Sequence, residues 1–355
     1  MNTGPATGAL ADLGPEEPPG ARRAGARAAL LERTLAEVER VVVGQDRLIE
    51  RMLVGLLARG HCLLEGAPGV AKTLTARTLA AVIGGRFARL TLTPDLEPGD
   101  VVGTRVRRPA SDGFAFEPGP VFAHLVLADG IDRAPARVRT ALLEAMAEGR
   151  IAVAGTAHPL PSPFLVLATL NPVESDGAGP LSAAQRDRFL MKLVVDHPAP
   201  LDELAILRRM GVRPPRPSAV LAPDLVAELQ EAADDVFVHD AVAEYTVRLV
   251  HATREPAAYG LADVAGLVAF GAGPRATLGL AAAGRALAVL RGRDYLLPGD
   301  IADVAADVLA HRLVPTPAAL ADGHDPRAVV GRVLDGVPRP ETVPPGRRPW
   351  TGPRL

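Results

Sequence analysis

The sequence predicts a mostly parallel α/β sheet flanked by helices and followed by a small α-helical domain. Three observations carry that prediction. Short apolar strands alternate with helix-periodic segments through the first half of the chain. A glycine-bearing loop, Gly66-Ala67-Pro68-Gly69-Val70-Ala71-Lys72-Thr73, joins one such strand to a helix. Beyond residues 198–217, where Pro214-Pro215-Arg216-Pro217 reads as a stiff connector, only helical segments follow.

The first residues are rich in Gly, Pro and Ala, and a disordered leader is expected over 1–26. Leu30, Leu31, Leu35, Val38 and Val41 then recur at helical spacing, which predicts a helix over 26–41. A second helix is expected over 47–59, a short strand over 61–65, and the helix after the glycine loop over 73–83. Strands follow at 87–92 and 125–129. Between them, 94–120 holds many Pro, Gly and Asp residues with two short β-like runs, the pattern of a hairpin-bearing insertion. A helix over 134–149, a hairpin over 151–161 and strands over 164–170 and 189–195 complete the α/β domain, placed at 27–198. Helices over 223–235, 240–254, 274–291 and 298–311 form the helical domain, placed at 199–337. Residues 338–355, with six prolines, read as a flexible tail.

Composition narrows the function. Aromatic residues are only 3% of the chain and apolar residues 48%, so the core is built from Ala, Val and Leu. A net charge of −2 without a Lys/Arg run gives no nucleic-acid footprint. No apolar stretch approaches the ~20 residues of a membrane span, and no charged-then-apolar leader opens the chain. A cytoplasmic protein without membrane insertion is expected. Cys62, the single cysteine, sits in an apolar run and reads as a buried strand thiol. The histidines lack metal-ligand spacing, and no Ser/His/Asp arrangement is visible.

The glycine loop has the chemistry of a phosphate cradle. Gly66 and Gly69 permit a tight backbone whose N–H groups face an anion at a helix start, Lys72 can reach the β- and γ-phosphates, and Thr73 can ligate Mg²⁺. Ala71 stands where a last glycine is usual. Asp129 ends an apolar strand and would organise Mg²⁺. The expected cofactors are ATP and Mg²⁺.

Further motifs carry a resemblance. Val43-Gly44-Gln45, the glycine loop, Thr93-Pro94-Asp95-Leu96, Pro118-Gly119-Pro120-Val121-Phe122, Ala141-Leu142-Leu143-Glu144-Ala145-Met146, Ala168-Thr169-Leu170-Asn171-Pro172, Gln185-Arg186-Asp187-Arg188-Phe189, Gly273-Pro274-Arg275-Ala276 and His311-Arg312 stand in one order. In that order they resemble MoxR-type AAA+ ATPases over about residues 27–315. The resemblance implies an AAA+ P-loop fold with a helical lid. It implies Val43 and Gly44 near adenine, Asn171 as the sensor of water or γ-phosphate, Arg188 as an arginine finger offered to a neighbouring subunit, and Arg275 as a second sensor on the lid. It also implies a homo-oligomeric ring, expected to be a hexamer. The client would be a protein, with von Willebrand factor A domain proteins as the family's partner class.

One departure stands out. Relatives of this type carry Asp-Glu at the strand end, where the glutamate polarises the attacking water, and this chain carries Asp129-Gly130. Loss of a general base removes roughly 10²–10⁴ in rate without abolishing binding. Asp132 is the nearest substitute, with a shorter stem and two residues further on, and Glu97 is a weaker one. Glu144 matches a helix residue that relatives have besides their base. Two readings stay open: an ATPase that remodels its client, and an ATP-binding regulatory or assembly subunit that hydrolyses weakly or not at all.

Overall fold

The computed structural model describes residues 19–108, 113–171, 179–211 and 213–341. The chain begins with helices α1 (Pro19–Glu39) and α2 (Asp46–Leu57), strand β1 (Cys62–Glu65), helix α3 (Lys72–Val82) and strand β2 (Phe87–Thr91). Helix α4 (Pro98–Val102) and strands β3 (Gly103–Arg108) and β4 (Gly113–Pro118) form the insertion. Then come β5 (Leu125–Asp129), α5 (Ala136–Glu148), β6 (Arg150–Val153), β7 (Thr156–Pro159), β8 (Leu165–Leu170), α6 (Ala183–Arg186) and β9 (Met191–Val194). The remainder is α7 (Pro200–Met210), α8 (Pro223–Asp234), α9 (Asp240–Ala252), α10 (Ala262–Ala265), β10 (Val268–Phe270), α11 (Pro274–Leu290), α12 (Pro298–Leu309), β11 (Val314–Pro315), α13 (Pro317–Ala321) and α14 (Pro326–Gly336).

The main sheet has the order β2-β5-β8-β1-β9, and every neighbouring pair is parallel. A parallel sheet is covered on both faces, so its strands read as continuous apolar runs rather than alternating ones. Leu125 to Ala128 and Leu165 to Ala168 are all fully buried. Leu64, Leu125, Leu127, Leu165 and Leu167 face one core with α2 and α3, while Leu63, Val126, Ala128, Val166 and Ala168 face a second core with α5. The insertion is an antiparallel hairpin in which Arg105 opposes Phe116 and Arg107 opposes Phe114. Cys62 is buried in β1, and burial pushes its thiol up to about 12.

Several elements differ from expectation, and the region read as helices only also holds the short antiparallel pair β10–β11. Helix α1 starts at Pro19 rather than at 26, so part of the expected leader is helical, and residues 1–18 lie outside the described residues. Proline suits a first helical position and the Ala- and Arg-rich turn after it has high helix propensity, neither of which shows as apolar periodicity. Helix α7 occupies the stretch read as a change of character before the connector. Its signal is electrostatic: Pro200 at the start, Asp202 and Glu203 in the first turn, Arg208 and Arg209 in the last. Helix α14 was not anticipated, and of the tail expected over 338–355 residues 342–355 lie outside the described residues.

His61, just before β1, is buried. Its Nε2 donates to the Met146 carbonyl and its Nδ1 accepts from the Val166 N–H, each at 3.0 Å. Both ring nitrogens are thus used in the neutral form. Burial lowers its pKa from 6.5 to about 4, against a smaller opposing effect of the Met146 bond. The unfolded chain therefore binds this proton first as pH falls, and stability is lost from the ordinary histidine pKa downward. Between about pH 7.5 and about pH 5, His61 alone is expected to remove about 2 kcal/mol, read as a fall in the urea unfolding midpoint. An unchanged midpoint would mean that the folded protein accepts the proton.

Candidate functional site

Sheet order brings the loop after β1, the end of β5 and the end of β8 to one edge, since β8 lies between the other two. In open α/β sheets ligands bind at this carboxyl edge. There a pocket of about 370 Å³ is lined by residues 68–74 of the glycine loop and α3, together with Arg89, Asp129, Gly130, Asp132, Arg133, Thr169 and Asn171. The predicted Pro68, Gly69, Val70, Ala71, Lys72, Thr73, Asp129 and Asn171 are thereby brought together.

The loop is shaped by close packing and by left-handed backbone. A Cβ at Gly66 would stand 2.4 Å from the Val195 carbonyl oxygen, so only glycine lets the loop leave β1 beside the end of β9. Gly69 has φ 87° and Ala71 φ 66°, the latter at the cap of α3. Left-handed alanine costs about 1–2 kcal/mol, and its place in the phosphate loop is where such strain is tolerated for function. Lys72 Nζ donates to the carbonyls of Gly66 at 2.5 Å and Ala67 at 2.9 Å, which folds the loop over its own cation.

Asp129 is tightly held. Its Oδ1 accepts from the Thr169 hydroxyl at 2.8 Å, and its Oδ2 accepts from Arg89 Nε at 3.1 Å and Nη2 at 2.6 Å. Burial raises its pKa, but hydrogen bonds from Arg89 and Thr169 and the charges of Arg89 and Arg133 outweigh this, so the carboxyl lies below its ordinary value. The Thr169 hydroxyl also accepts from the Gly130 N–H at 2.8 Å. The carboxylate is therefore ionised and aimed, as a metal-organising group must be. Among the described residues no group of three or more His, Cys, Asp or Glu could hold a metal by itself. A cation shared with phosphate oxygens fits this donor set, because Mg²⁺ is usually held by one or two protein ligands plus phosphate.

The other expected residues lie outside this pocket. Gly44 lines a separate cleft of about 190 Å³, together with Gln45, His197 of the strand exit, and Asp307 and Arg327 of the helical region. Val43 precedes it in the same turn between α1 and α2. Arg188 is exposed, with Nη1 donating to the Leu143 carbonyl at 3.1 Å. Arg275 donates to Asp187 at 2.8 Å, and Asp187 also accepts from the buried Arg312 at 2.9 Å. Arg89, Thr169 and Arg133 are the site residues that sequence reasoning missed. A lone arginine in an apolar strand and a threonine at a strand's carboxyl end were the available signals.

Comparisons with known proteins agree with this arrangement. A family model described as "ATPase family associated with various cellular activities (AAA)" matches residues 61–191, and an AAA lid domain model matches residues 262–333. The chain is 53% identical over 327 residues to Chaperone MoxR1 of Mycobacterium tuberculosis, covering 92% of this chain and 87% of that one. It is 35% identical to Protein MoxR of Paracoccus denitrificans, covering 84% and 92%. A crystal structure of a putative ATPase from Cytophaga hutchinsonii superposes with a TM-score of 0.85 at 38% identity, covering 90% of this chain and 98% of that one.

Proposed function

Because the chain belongs to the MoxR family of AAA+ ATPases, we propose that it is an ATP-binding, chaperone-like remodeler that matures or activates a partner protein. The observation that carries this reading is the pocket in which Lys72, Thr73, Asp129 and Asn171 come together. Backbone N–H groups of residues 66–73, Pro68 excepted, and the Lys72 ammonium hold the phosphates. The Thr73 hydroxyl and Asp129 hold Mg²⁺, which when bound neutralises phosphate charge. Val43 and Gly44 border the adenine, Asn171 reads the γ-phosphate or its attacking water, Arg188 reaches a neighbouring subunit's nucleotide, and Arg275 contacts the phosphates from the lid. The α/β domain spans 27–198 and the lid 199–337. The assembly is a homo-oligomeric ring, a hexamer, acting in the cytoplasm on a client of the von Willebrand factor A domain class.

Lys72→Ala tests the site. Isothermal titration with ATP and Mg²⁺ is expected to show affinity falling by about 10- to 100-fold, as befits loss of charge-assisted bonds. Equal affinity in the variant would remove the loop from the binding site. A second reading, an ATP-holding subunit with slow hydrolysis, is favoured by Gly130, which supplies no carboxylate where water must be activated.

A further inference from the structure

The space that a side chain at position 130 would take is filled by Arg133. Gly130 has φ 79°, and a Cβ there would stand 2.5 Å from Nε and 2.6 Å from Nη2 of Arg133. Arg133 therefore lines the pocket beside Gly130, close enough to Asp129 to help depress its pKa. Absence of a side chain at 130 and presence of this cation are one arrangement.

Charge follows from it. The charged side chains lining the pocket are three cations, Lys72, Arg89 and Arg133, and two carboxylates, Asp129 and Asp132. A glutamate at 130 would bring the two signs level; with glycine the lining is positive. Arg89 donates twice to Asp129, and the Arg133 charge also bears on that carboxylate. A guanidinium is planar, always charged, and suited to bidentate pairing with phosphate oxygens.

We propose that Arg133, admitted to the site by Gly130, binds the terminal phosphate of a nucleoside triphosphate and makes the pocket discriminate triphosphate from diphosphate. This rests on reading the pocket as the nucleotide site. Where a base would activate water, the chain places a cation that retains the anion, so the site is specialised to hold its ligand.

The full chain, titrated calorimetrically with AMP-PNP and with ADP in the presence of Mg²⁺, distinguishes the possibilities. Arg133→Gln and Arg133→Ala are expected to weaken AMP-PNP by about tenfold or more while changing ADP by less than about twofold. Arg133→Lys, which keeps the charge, is expected to recover part of the loss. Equal weakening of both nucleotides, or no change in either, overturns the role given to Arg133. Lys72→Ala weakens both nucleotides if the pocket is the nucleotide site, whatever Arg133 does. A native chain that binds neither ligand overturns the pocket reading and this proposal with it.

Discussion

Steady-state ATP hydrolysis by the native chain is expected to run about 10²–10⁴-fold below that of an AAA+ ATPase with a glutamate after its strand-end aspartate, the usual contribution of a general base. Asp129 is ionised but held by Thr169 and Arg89, which suits it to organise a cation rather than to take a proton. Gly130→Glu is expected to raise turnover at least about tenfold. It should also cost about 1–2 kcal/mol in stability, because a non-glycine residue would sit at φ 79°. Arg133 must swing aside for the new side chain, which it can do because its contact is the far end of a flexible stem. Phosphate release and a urea midpoint, measured on both proteins, check the two halves. Native turnover near the ordinary enzyme range of about 1 s⁻¹ or above would mean that another group activates water. Asp132→Asn would then be the variant to measure.

Asp307→Ala is expected to destabilise the fold by about 1–3 kcal/mol, the cost of leaving buried charged donors without an acceptor while Arg51 keeps Asp303 and Glu50. Arg51 on α2 is 1% exposed and Asp307 on α12 is 2% exposed. Arg51 Nε donates to Asp307 Oδ2 at 3.0 Å and its Nη2 to Asp303 Oδ1 at 2.7 Å. Arg47 adds a bond to Asp307 Oδ2 at 3.0 Å, and Arg327 of α14 one to Oδ1 at 2.9 Å. Removing Asp307 thus strands three guanidinium contacts at once, and Arg51 has little access to water in exchange. Denaturant unfolding with a constant m-value reads the effect. A loss under about 1 kcal/mol, the range of an exposed pair, would show that water enters the cluster.

That cluster marks the limit of what the sequence discloses. Arg47 and Arg51 stand four apart on one helix, and Asp303 and Asp307 four apart on another, so each face is legible. Which helix meets which is decided by the tertiary packing of elements more than 250 positions apart, and neither face alone names its partner. The main strands were legible because fully buried β runs are continuous and apolar, and the phosphate loop because its chemistry is local. Arg89 was hidden for a different reason. It lies two residues before Thr91, whose register partner is Asp129, so the two-residue pleat points it toward that carboxylate only once the β2–β5 pairing is known. Thr169 likewise acquires meaning from β8 standing beside β5. Helix α7 escaped because Leu201 and Leu207 are 81% and 68% exposed, leaving no inward stripe for periodicity to find.

One core runs without a break from α1 and α2, which precede the phosphate loop, to the helices that close the chain. Helix α11 sits at its centre, packed on α1, α2, α8, α9 and α12. The lid helices are therefore packed against the front of the molecule, and a swing on the prolines at 214–217 would have to break that core. Movement in such a packed body proceeds by sliding of helices over one another through an ångström or two. A nucleotide bound at the loop is therefore expected to be felt through this core as a short, stiff slide rather than a wide opening.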